Sequence, residues 1–194
     1  MTIQLPKNHL IAMKCAEWEK EKKYSDPDKV LERVFQQSNA DFESVFIKIN
    51  LLNSVYSTNI SNDNILKLTM FINKNHVKLD KLISEGSIEA VNLLAYNKQT
   101  SVNLFSFATK FCSFSNLYHY PIYDQLVNNM LWQYKKQNDL NFMRKNIEAS
   151  AKTERYKNFK KLIDELIKKS EIDDTYTYKD LDKFLWLTGR EIKW

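Results

Sequence analysis

The sequence predicts an all-α fold, one multi-helix domain over residues 1–194 that admits two helical lobes around a cleft, and three observations lead there. Glycine is confined to Gly86 and Gly189 and proline to Pro6, Pro27 and Pro121, too few breakers for a protein built of tight β-hairpins. Apolar residues recur at three- and four-residue spacings, the period of a helix face. Capping residues stand before several of these runs, at Asp26, Ser61, Ser87 and Thr177. With 194 residues, 43% of them apolar, the chain can bury one sizeable core or two small ones, but not several independent domains.

Each element follows in order. Lys7 to Lys23 carries Leu10, Ile11, Cys15 and Trp18 near helical spacing and ends in a Glu-Lys-Glu-Lys-Lys tract, an amphipathic opening helix. Asp26-Pro27-Asp28 reads as an N-cap, a proline at the first helical position and an acid in the first turn, followed by Val30, Leu31, Val34 and Phe35. Asp41 to Tyr56 is the most apolar stretch and predicts a central core helix, closed by the polar group Tyr56-Ser57-Thr58-Asn59. Ser61 to Asn64 then offers caps for a helix through Ile65, Leu68 and Ile72, so that two helices meet at a polar corner. Leu79, Leu82 and Ile83 before Gly86 predict a short helix with a glycine stop, and Ser87 opens another through Leu94.

Asn97 to Ser101 reads as a turn, Val102 to Phe114 as helix, Asn116 to Tyr120 as loop and Gln125 to Gln137 as helix. Phe105, Phe107, Phe111 and Phe114 are core positions by their spacing. A long basic helix is expected from about Leu140 to Ser170, with a break near Ala149 to Ala151. A last helix runs from Lys179 to Leu187, where Thr177 and Asp180 approximate a capping box with Asp in place of the usual Glu or Gln.

Composition excludes several classes of chemistry. Cys15 and Cys112 are too few and too far apart for a disulfide framework or a zinc cluster, and read as ordinary buried thiols in a reducing compartment. The N-terminal stretch lacks an apolar signal core, and no run approaches the roughly eighteen apolar residues of a membrane span, so a soluble, cytoplasmic protein is expected. Motifs for zinc hydrolysis, serine hydrolysis and glycine-loop phosphate binding are missing. No cofactor or metal is expected.

The net charge of +5 is uneven, because Leu131 to Ser170 holds eleven Lys/Arg against five Asp/Glu. Lys135, Lys136, Arg144, Lys145, Lys152, Arg155, Lys157, Lys160 and Lys161 in that stretch, with Tyr134, Phe142, Tyr156 and Phe159 interleaved, suit a stripe that follows phosphates. A solvated helix face explains the same residues. Asp124 stands out for another reason: it follows Pro121 and heads the next apolar-periodic segment, which gives its carboxylate a defined direction and makes it the first candidate for chemistry. A plain N-cap explains it too.

Two runs, IKINLLNSVYSTNI at Ile47 to Ile60 and SFATKFCSFSNLYHYPIYDQLV at Ser106 to Val127, resemble segments of the helix-hairpin-helix DNA glycosylase superfamily and occur in that family's order. They are also similar to runs in uncharacterised bacterial proteins. The resemblance implies a DNA-binding enzyme that extrudes a modified or damaged base and cleaves its N-glycosidic bond, with Asp124 as the catalytic carboxylate. Bifunctional members carry a nucleophilic lysine about eighteen residues earlier, where this chain has Ser106. A monofunctional enzyme is therefore implied. Lys110 is the nearest lysine, one helical turn from that place.

The family's glycine-rich hairpin is represented by Asn97-Lys98-Gln99-Thr100-Ser101, without glycine, and its iron-sulfur cysteines are absent. Contacts to DNA are expected from Tyr56, Ser57, Thr58 and Asn59 at the polar corner and from Lys98 in the turn. Further contacts are expected from Lys110, from Tyr118, His119 and Tyr120 in the loop, and from Lys135 and Lys136. Each has a plainer reading beside it: Ser57 and Thr58 close a helix, and His119 is a surface loop residue. A fixed carboxylate suits the reaction because departure of the base leaves oxocarbenium-like charge on the sugar, while the cost of unstacking the base must be met by stacking and phosphate contacts. The other functional class that the sequence allows is a non-catalytic module binding nucleic acid or protein through its basic face.

Overall fold

The computed structural model describes residues 3–100, 102–138 and 151–192, and the chain is all-α, with no strand among the described residues. Its helices are α1 (Asn8–Lys20), α2 (Lys22–Phe35), α3 (Phe42–Tyr56), α4 (Asn62–Lys74), α5 (His76–Ser84), α6 (Ile88–Ala95), α7 (Phe105–Ser115), α8 (Gln125–Asn138), α9 (Lys152–Ser170) and α10 (Tyr178–Glu191). The first part of the expected basic helix, 140–150, with Phe142, Arg144 and Lys145, lies outside the described residues, as does Ser101 of the hairpin turn.

The chain divides into two units, one formed by Met1–Glu21 with Pro121–Trp194 and the other by Lys22–Tyr120. In the second unit α6 packs along α7, α3 along α4, and α2 against both α3 and α7. The four phenylalanines of α7 are buried, as their spacing predicts. Phe35 meets Phe111 edge-on at 5.0 Å and Phe114 at 5.6 Å, while Tyr56 meets Phe114 at 5.7 Å, so one aromatic cluster ties α2, α3 and α7 together. Cys112 is sealed in this core, and burial pushes its thiol well above the usual range.

In the first unit α10 packs against both α1 and α8. Trp18 and Trp186 meet edge-on at 5.5 Å. Gly189 lies where α10 approaches α8 closely: an added Cβ would stand 2.9 Å from Leu126 Cγ and 3.1 Å from Met130 Cγ. That approach explains a glycine inside a helix, where its backbone freedom otherwise costs about 1 kcal/mol. α10 runs on to Glu191, past the Leu187 end that the sequence suggests. Cys15, half-buried on α1, donates to Asp180 Oδ1 at 3.7 Å, and burial followed by the Asp180 charge pushes its thiol up to about 11.

Of the caps read from the sequence, those at Ser87 and Thr177 form, while Ser61 precedes α4 without a side-chain cap bond; Asp41 adds one that the sequence reading does not single out. Asp41 accepts from the Ser44 amide at 2.7 Å at the start of α3, and Ser87 accepts from the Glu89 amide at 3.3 Å at the start of α6. At α10 both halves of the capping box form: Asp180 N–H donates to Thr177 Oγ1, and Thr177 N–H donates to Asp180 Oδ2. Two helix starts also differ from expectation. α2 begins at Lys22, which places Pro27 inside the helix. Its buried stripe runs Ser25, Asp28, Leu31, Phe35, so packing starts upstream of the proline and overrides the apparent cap. α7 begins at Phe105 and not Val102, because Asn103 Oδ1 accepts from the Phe105 amide at 3.0 Å and closes a turn there.

Candidate functional site

Asp124, Lys135 and Lys136 belong to the first unit, and the other nine candidate residues to the second. Asp124 is half-buried and precedes α8 directly. Its Oδ1 accepts from the Leu126 amide at 2.8 Å and its carbonyl from the Asn128 amide at 2.9 Å, so it caps the helix. Oδ2 has no hydrogen-bond partner among the described residues. The result is a carboxylate with one oxygen fixed by its own helix and one uncommitted.

Beside it in sequence, the Tyr123 ring lies 5.1 Å from the Arg155 guanidinium, which also donates to the Tyr123 hydroxyl at 3.3 Å. On α8, Lys135 and Lys136 lie 5.3 and 5.5 Å from the Trp132 ring, one helical turn away. α9 carries seven Lys/Arg against three Asp/Glu and buries Tyr156, Phe159, Leu162, Ile163 and Leu166 on its apolar face. Lys157 is neutralised by Glu154 at 3.0 Å. Lys160 donates to the Tyr178 hydroxyl, which donates in turn to Asp164; burial lowers the lysine's affinity for its proton, against the pull of Asp164. Lys152, Lys161, Lys168 and Lys169 are exposed. Tyr156 and Phe159, interleaved in sequence with these lysines, are therefore core residues rather than stacking platforms.

In the second unit the polar corner is built by Asn53. Its amide nitrogen donates to the Ile60 carbonyl at 3.1 Å, and its amide oxygen accepts from Thr58 Oγ1 at 2.7 Å and the Ile60 amide at 3.0 Å. This holds Ser57 (φ 47°) and Asn59 (φ 55°) in the left-handed region, which costs a non-glycine residue about 1 kcal/mol or more. Both side chains are exposed, while the Thr58 hydroxyl is spent inside the corner. The hairpin turn is likewise closed by a side chain: Asn97 Oδ1 accepts from the amides of Gln99 and Thr100, and its amide nitrogen donates to the Leu94 carbonyl at 2.7 Å. An Asx turn thus closes this segment without glycine, and Lys98 projects from it exposed.

Two expected DNA contacts are corrected by burial. Tyr120 is wholly buried, its hydroxyl donating between the carbonyls of Leu82 and Ser87, 3.0 Å from each, so it braces the α5–α6 corner. Lys110 is 2% exposed, donates to Ser106 Oγ at 2.7 Å and lies 5.7 Å from the Tyr56 ring. An amine enclosed in this way has no path to a phosphate. Tyr56 is half-buried and donates to Asp28 Oδ1 at 2.7 Å, so its hydroxyl too is engaged within the unit. Tyr118 is 70% exposed. His119 is exposed but lies across Gly86, where an added Cβ would stand 2.2 Å from its ring, and its Nδ1 is 3.1 Å from Asn116 Oδ1.

The sequence reading takes Asp28 only as a first-turn acid, where the structure has it accept from the Tyr56 hydroxyl, and does not single out Lys48. Lys48 is buried on α3 and donates to the Gln37 carbonyl at 2.5 Å and to Asn39 Oδ1 at 2.8 Å; Asn39 in turn donates to Asp80 at 2.6 Å. Burial pulls its ammonium down to about 8, against the opposing charge of Asp80. A signal for it existed: Lys48 falls three residues after Val45 and four before Leu52, on the core face of an apolar helix.

The HI_0787_N family, described as an N-terminal domain, matches residues 10–125, a span that includes the whole second unit and ends just past Asp124. A relative from Haemophilus influenzae strain Rd, described as an uncharacterized protein, is 34% identical over 89 residues. That match covers 45% of this chain and 38% of the relative. No solved structure matches the chain. No helix among the described residues is long and apolar enough to cross a membrane.

Proposed function

The chain belongs to the HI_0787_N N-terminal-domain family, and for it we propose a nucleic-acid function: a monofunctional DNA N-glycosylase of helix-hairpin-helix type, with Asp124 as the carboxylate that stabilises the sugar as the base departs. The observation that carries this reading is the uncommitted Oδ2 of an aspartate whose other oxygen is locked by the first turn of α8. A carboxylate held in this way needs no reorganisation when positive charge develops nearby. Ser106, at the place of the bifunctional lysine, supports hydrolysis without a covalent imine. Exposed Lys136, Lys152 and Lys161, in the same unit as Asp124, supply phosphate contacts.

Asp124→Asn tests the assignment cleanly, because asparagine caps a helix about as well as aspartate. Release of base from a duplex carrying damaged bases is expected to fall at least about 100-fold, with melting temperature and DNA affinity close to native. Release at the native rate removes Asp124 from the chemistry. Borohydride is expected to trap no protein–DNA adduct, and efficient trapping overturns the monofunctional assignment.

A second reading, a helical module that binds nucleic acid or protein without catalysis, is favoured by the burial of Lys110 and Tyr120 and by the glycine-free turn. DNA affinity that falls steeply with salt, with no abasic product under any condition, selects it.

A further inference from the structure

We infer that the outer face of α3 and α4 is a docking site for an acidic amphipathic helix of a partner protein. Four large apolar side chains of these two adjacent helices are left in solvent: Phe42 at 40% exposure, Phe46 at 39%, Leu66 at 48% and Met70 at 59%. Phe42 and Phe46 lie parallel, with ring centroids 6.4 Å apart. A groove of about 640 Å³ opens beside them, lined by Phe42 and Met70 together with Lys67, Asn73, Lys74 and Gln99. Single exposed apolar residues are ordinary on a protein surface, but a contiguous set rimmed by polar groups marks an interaction surface.

The rim defines the occupant. Lys67 and Lys74 are seven residues apart on α4, about 10 Å along the axis, with Met70 between them on the same stripe. Among the described residues Lys67 is engaged only by Asp63, at 2.6 Å with both side chains well exposed, a pair weak enough to exchange for another carboxylate. Lys74 makes no ion pair among the described residues. A helix with two apolar side chains one turn apart and acids seven residues apart satisfies both features, and the flexible Met70 side chain adapts to it. A second copy of this chain is a poor occupant, because an isologous contact brings the two lysines toward their own images. Single-stranded nucleic acid is the competing occupant, because the exposed Phe42 and Phe46 rings also offer faces to a base, and the test separates the two.

The test uses a fluorescein-labelled synthetic helix of about eighteen residues with leucines at i and i+4 and glutamates at i+1 and i+8, beside a counterpart in which lysines replace the glutamates. Anisotropy with the full chain is expected to show the acidic peptide binding at least tenfold more tightly than its counterpart. Met70→Glu is expected to weaken it at least tenfold, and Lys74→Glu to remove the preference between the two peptides. Both side chains are exposed, so unchanged melting confirms that the fold is intact. No saturable binding, equal binding of the two peptides, displacement by oligothymidylate, or a dimer in sedimentation that is lost in Met70→Glu each overturns the proposal.

Discussion

At the scale of single residues, charge on a buried side chain has a measurable cost here. Lys48 holds its proton to about 8 in the folded chain against an ordinary 10.5, so between those values the unfolded chain binds more protons. Stability contributed at this site must then rise with pH across that window and level off above it. Urea midpoints measured at pH 7.5 and 9.5 should show the rise, on the order of 1–3 kcal/mol, and it should vanish in Lys48→Met; an equal rise in the variant assigns the effect elsewhere. Lys48 and Lys110 also show what residue-level reading missed. Both occupy core-facing positions of apolar helices, Lys110 three residues after Phe107 and four before Phe114. Their placement was legible from periodicity, and Ser106 as the partner of Lys110 follows from i,i+4 spacing on one helix, whereas Asn39, the partner of Lys48, lies in the turn between α2 and α3 and depends on how that turn folds back. Asp124 was legible as a cap and as a directed carboxylate, since both follow from a helix start.

At the scale of elements, caps and apolar stripes located most helices, because those signals are local. Asp41, Ser87 and the Thr177–Asp180 pair each satisfy amides within three residues, which no distant contact needs to arrange. The start of α2 was not legible, because the burial of Ser25 and Asp28, which draws the helix upstream of Pro27, comes from packing. Gly189 is the opposite case, a helix-weakening residue required by a neighbour. Gly189→Ala gains helix propensity but forces Leu126 and Met130 aside. The clash should win, lowering stability by about 1–2 kcal/mol, with a fall in melting temperature of about 2–8 °C. An unchanged or higher melting temperature contradicts the close approach of α10 to α8.

At the scale of the whole molecule, the helical class was legible because scarce breakers and a sustained period leave little else. The grouping of α1 with α8 and α10 was not, because it joins segments more than 150 residues apart in the chain, such as Lys14 and Glu191. The basic segment was legible as composition, but Tyr134, Tyr156 and Phe159, three of its interleaved aromatics, face inward. The placement of the two thiols has its own use. Cys15 belongs to one unit and Cys112 to the other, so each unit carries one thiol as an internal clock. Under a denaturant ramp with a pulsed maleimide, alkylation at Cys15 should precede that at the sealed Cys112, and peptide mass mapping reads the two separately. If both thiols react in a single sigmoid, the chain melts cooperatively as one body; if they part, each half keeps its own time.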